Sequence, residues 1–89
     1  MRVTTLPDSA VQATWRALAV AQKLESRGVL VLSIQADGGR GPQIIAVHCD
    51  ALEVAYPDAR DLPTIHVADR PVRIKEAIDS GVSITWGFD

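Results

Sequence analysis

Eighty-nine residues suffice for one domain and leave no room for a second core. Hydrophobic residues make up 47% and charged residues 22%, a balance that excludes a disordered tail. The net charge is −2, with acids and bases interspersed and no basic run, so the electrostatic footprint of a nucleic-acid binder is missing.

A single cysteine makes no internal disulfide, which points to a reducing, cytoplasmic setting. The opening MRVTTLPDSA has no apolar stretch of the signal-peptide kind. The longest apolar run, GVLVLSI, is far short of the ~20 residues that span a bilayer. No membrane association is expected.

Residues 9–27 read as a helix. Ser9 and Gln12 match a capping box, in which each side chain satisfies the other's free backbone donor; Thr5 and Asp8 offer a competing start. Gly28 suits the position after the helix, because it adopts a positive φ without a Cβ penalty. At ~100° per residue, Gln12, Arg16, Lys23 and Arg27 fall on one stripe, and Ala13, Ala17, Val20, Ala21 and Leu24 form a second face. Val11, Trp15 and Leu18 carry the apolar surface further round the cylinder. A helix on a sheet needs only about a 100° apolar stripe. The excess fits either burial against a partner subunit or alanine tolerated on an exposed surface.

VLVLSIQA (29–36) and QIIAVH (43–48) read as strands joined by a Gly- and Pro-rich turn. A four-residue loop, Gly38–Gly41, sets Ile34 opposite Ile45 and Leu32 opposite Val47, so that the odd-numbered residues of the second strand face the core. Asp50 is expected to cap a short helix with Glu53 three residues on, and Tyr56-Pro57 to end it. PDARDLP (57–63) reads as a loop, TIHVA (64–68) as a strand and Asp69-Arg70-Pro71 as a turn. The segment PVRIKEAIDSG fits a helix or a strand. The strand is favoured, because a three-residue loop, Asp79-Ser80-Gly81, pairs Ile78 with Val82, Ile74 with Trp86 and Val72 with Phe88. Glu76, opposite Ile84, is the exception on that apolar face. The expected fold is a single α+β domain: an N-terminal helix packed on one face of an antiparallel sheet of about five strands.

Four side chains are of metal-ligand type: His48, Cys49, His66 and Asp69. With Val47 and Ile65 facing inward, His48 and His66 would share the sheet's uncovered face, while Cys49 would alternate to the other side. No C-x-x-C or H-x-x-x-H spacing supports a site, and exposed histidines on a polar face are the simpler reading. A cysteine nucleophile would need His66 as its base, since His48 is adjacent in sequence. GGRG lacks the lysine and hydroxyl of a phosphate loop. No metal and no cofactor is expected. Arg16, Lys23, Arg27 and Arg40 are the basic groups placed to meet a partner; three of them on one helix stripe of an acidic chain are a weak attractor for nucleic acid.

The helix AVQATWRALAVAQKLESRG, the strand VLVLSIQ and the ending GVSITWGFD together resemble the layout of short accessory proteins of phages and prophages. That resemblance implies an interaction role in an infected or lysogenic bacterium and carries over no catalytic residue. The function expected is that of a non-enzymatic interaction protein, acting by binding a host protein or by self-association as a homodimer. A metal- or cysteine-dependent activity through His48, Cys49 and His66 is the alternative, and a regulatory nucleic-acid module the third.

Overall fold

The computed structural model describes residues 9–37 and 41–88. Helix α1 (Ala10–Ser26) starts at the expected cap: the Ser9 hydroxyl accepts from the Gln12 N–H at 3.2 Å, and the Gln12 side chain accepts from the Ser9 N–H at 3.3 Å. The competing start at Thr5 and Asp8 lies outside the described residues, as does Arg40. The helix stops in a Schellman turn. Gly28, at φ +86°, donates to the Glu25 carbonyl, and Val29 donates to that of Leu24.

Five strands follow: β1 (Val31–Asp37), β2 (Gly41–Val47), β3 (Arg60–Val67), β4 (Arg70–Asp79) and β5 (Val82–Phe88), with helix α2 (Asp50–Ala55) between β2 and β3. Their order in the sheet is β1-β2-β5-β4-β3. The helix on one face of a five-stranded sheet matches the expected α+β fold, but the sheet is mixed. β5 inserts between β2 and β4, antiparallel to β4 and parallel to β2. The chain leaves β2 through α2 and lays the β3–β4 hairpin outside before returning, and such a crossover can deliver a parallel strand where a hairpin cannot.

The β1–β2 and β4–β5 hairpins each differ from the expected register by one residue. In β1–β2, Ile34 pairs with Ile44, not Ile45, and Asp37 with Gly41. In β4–β5 the connection is a two-residue turn, Ser80-Gly81, with both residues at positive φ (+54° and +78°). That is the type I′ geometry whose twist matches the flanking strands. A slip of one residue reverses every side chain. Ile44 and Ala46 therefore face α1, with Ile44 fully buried, while Ile45 and Val47 turn to the other face and Ile45 is 39% exposed. Likewise Ala77 pairs with Ile84, and Glu76 pairs with Thr85 on the uncovered face.

Three smaller corrections concern the middle of the chain. The residue capping α2 is Cys49, which makes no side-chain capping bond, and Asp50 lies in the first turn instead. There its charge still complements the helix dipole. Residues 60–63 belong to β3, not to a loop. The β3–β4 turn is Ala68-Asp69, again with both φ positive, rather than 69–71.

The core lies between α1, α2 and one face of the sheet. Trp86, Leu24, Ile44, Leu52, Ile84 and Val82 are its largest fully buried side chains. Ala13, Ala17 and Ala21 line the underside of α1, and their small size lets the helix settle close on β1 and β2. The opposite sheet face has no helix over it among the described residues. Beyond Leu62 the β3–β4 hairpin extends as an arm, residues 63–71 all exposed, in a molecule 53 Å long.

Candidate interaction surface

The polar groups are mostly spent on holding elements together. Asp79, at the end of β4, accepts from Lys23 of α1 at 2.5 Å, from the Tyr56 hydroxyl after α2 at 2.7 Å and from Ser80 at 3.0 Å. One carboxylate thus ties both helices to the β4–β5 turn. Lys23, then Tyr56, hold its carboxyl below the usual range, while burial and the Asp79 bond raise the Tyr56 phenol. Glu53 of α2 accepts from Lys75 at 3.2 Å and lies 3.2 Å from His48 Nε2; the Lys75 bond chiefly lowers its pKa. Glu76 is lowered by Ser83 first and then by Arg60.

These three carboxyls are harder to protonate in the folded chain than in the unfolded one. The unfolded chain therefore takes up more protons in acid, so their contribution is complete above the ordinary carboxylate range and is lost as pH falls through it. Urea midpoints should be flat above about pH 5 and fall below about pH 4. Asp79→Asn should lower the plateau by roughly 1–2 kcal/mol, a discounted value because Lys23 is partly exposed, and should make the acid fall shallower. An unchanged acid limb in that variant would contradict the role given to Asp79.

The histidines are not neighbours. His48 lies on the helix-covered side, half-buried and stacked on Phe88 with ring centroids 5.0 Å apart. It was expected on the uncovered face; the register slip accounts for the difference. His66 is exposed on the arm, and β2 and β3 stand three strand spacings apart, about 14 Å. Cys49 is half-buried against the core, and Asp69 is in the turn at the tip of the arm. The set His48, Cys49, His66 and Asp69 is thus not brought together, and among the described residues no three His, Cys, Asp or Glu side chains are placed to hold a metal ion.

The basic stripe is dispersed in its contacts. Lys23 is engaged by Asp79, Arg16 lies against the β4–β5 turn at Gly81, and Arg27 is exposed at the end of α1. A shallow groove of about 350 Å³ between residues 55–60 and β4 is lined by Arg60 and Glu76, which are paired with each other, and by Tyr56, which is bound to Asp79. No helix among the described residues is long and apolar enough to cross a membrane.

What the surface does present is apolar. On the uncovered sheet face, Leu30, Ile45, Val47, Ile65, Val67 and Ile78 are all exposed, beside half-buried Val72 and Ile74. On α1, Val11, Trp15 and Leu18 run from the flank beside β1 to the crest, where Trp15 is 67% exposed. Leu18 shares a groove of about 330 Å³ with Leu32 and Ile34 of β1, so the helix stripe and the edge strand form one continuous patch. The sequence signal for this surface was the excess apolar arc on the helix. The apolar sheet face had no separate signal, because the expected register put those side chains inside. Comparison with known proteins returns no matching family model, no matching curated protein and no matching solved structure.

Proposed function

We propose that this protein is a non-enzymatic interaction module that binds another protein through its exposed apolar surface. The observation that carries the reading is the concentration of large aliphatic side chains and Trp15 on surfaces that the described helices leave open. A large contiguous apolar surface on a small domain marks a binding site more often than it marks idle exposure. The outline resemblance to phage and prophage accessory proteins adds a host protein to the partners such a surface could meet.

Site-specific photo-cross-linking in the native cell tests this. A photoreactive residue at Trp15 or Val67 should yield a discrete cross-linked protein, and one at Asp58, on an exposed polar turn, should not. Equal labelling from all three positions, or none from any, would remove the proposal.

A further inference from the structure

Resting on that reading, we infer that the edge of β1 that no other described strand pairs, with the flank of α1 above it, is built to receive a second copy of this chain. The two sheet edges are not alike. The outer strand β3 carries Arg60, Asp61 and Pro63, and its pairing with β4 is irregular between Leu62 and Ile65, around that proline. Charge, proline and irregular pairing are the usual devices that keep an edge from recruiting another strand. The other edge, β1, reads VLSIQA before Asp37: no proline, no lysine and no charge. Its pairing with β2 is regular from Ser33 to Asp37, after an irregularity between Val31 and Ser33.

An antiparallel pair of β1 strands has a two-fold axis normal to the sheet, so both copies of α1 lie on the same side. Strands are ~4.8 Å apart and α1 lies over β1 and β2, which sets the two helix axes about 10 Å apart, the spacing at which helices pack. Leu18 is the middle residue of α1 and lines the same groove as Ile34. A two-fold axis near Ile34 therefore brings Leu18 against its own copy.

The charges agree with this arrangement. Arg16, Lys23 and Arg27 lie on the opposite flank of α1, away from the seam. Glu25 lies on the near flank, where the antiparallel partner presents the positive N-terminal end of its α1. Leu18, Leu32 and Ile34 are the large exposed apolar side chains at the seam itself, with Val11 beside them on the same flank of α1.

The test is light scattering after size exclusion, from micromolar to millimolar protein, on the full chain and three variants. Leu32→Lys places a charge on the edge at a residue 62% exposed, so the fold should survive it. Leu18→Glu sets two carboxylates against each other at the seam. Val67→Lys charges the uncovered sheet face instead. Circular dichroism and thermal melts confirm folding of each. The expected result is twice the chain mass for the unaltered protein and for Val67→Lys, and the single mass for Leu32→Lys and Leu18→Glu. An equimolar mixture of Leu18→Glu and Leu18→Lys should recover the double mass. A monomer at millimolar concentration overturns the inference, while cross-links to another protein would still uphold the broader interaction reading. A dimer that survives both seam variants but is lost in Val67→Lys also overturns it, placing the contact on the uncovered face.

Discussion

Replacing Ile44 by alanine should lower the unfolding free energy by about 2–5 kcal/mol, and the same change at Ile45 by less than about 1 kcal/mol. The two residues are adjacent, chemically identical and in the same strand. They differ in the face they serve: Ile44 is wholly buried against Ile84 and the helix, whereas Ile45 lies on the open side beside Thr85. Removing three carbons at Ile44 leaves a cavity in a close-packed layer that collapses only in part, and at Ile45 solvent fills the space. Urea unfolding with a common slope reads the difference. Equal losses, or a larger loss at Ile45, would restore the register in which odd-numbered residues face the core.

Trp86 should behave in two ways according to what replaces it. Trp86→Ala removes the largest side chain of the core and should cost about 3–5 kcal/mol. Trp86→Phe should stay within about 1 kcal/mol of the parent, although it too loses volume. The reason is the indole nitrogen. It is buried with no hydrogen-bond partner among the described residues, so the folded state bears the desolvation of that donor without return from them. Phenylalanine keeps most of the ring contacts, including the packing beside Tyr56, and removes the orphan donor. A Phe variant as unstable as the Ala variant would mean that the donor is satisfied in solution, by a bound water for instance.

The helix was legible because its signals are local. Ser9, Gln12 and Gly28 each act within one turn, and the spacing of Ala13, Ala17, Val20, Ala21 and Leu24 leaves one buried face. The hairpins were legible as hairpins but not in register. QIIAV is apolar on both faces, so its pattern does not choose between Ile44 and Ile45, and the choice rests on the turn. At the β4–β5 turn a warning was present: the three-residue loop put Glu76 opposite Ile84, and a carboxylate on an apolar face signals a slip of one residue. The parallel pairing of β2 with β5 had no local signal, since it depends on where the β3–β4 hairpin is laid. The exposed apolar surface was half visible, in the excess apolar arc of α1. The rest emerges once the register has turned Ile45 and Val47 outward.

Hydrogen exchange at the two sheet edges, followed against protein concentration, tests most directly whether β1 receives a second copy. The amides of Ser33–Asp37 that point away from β2 should exchange fast in dilute protein and slow progressively as concentration rises, while the outward amides of β3 keep one rate throughout. Outward β1 amides that exchange at the same fast rate from dilute to concentrated protein would contradict the account, and slowing confined to β3 would contradict it as well.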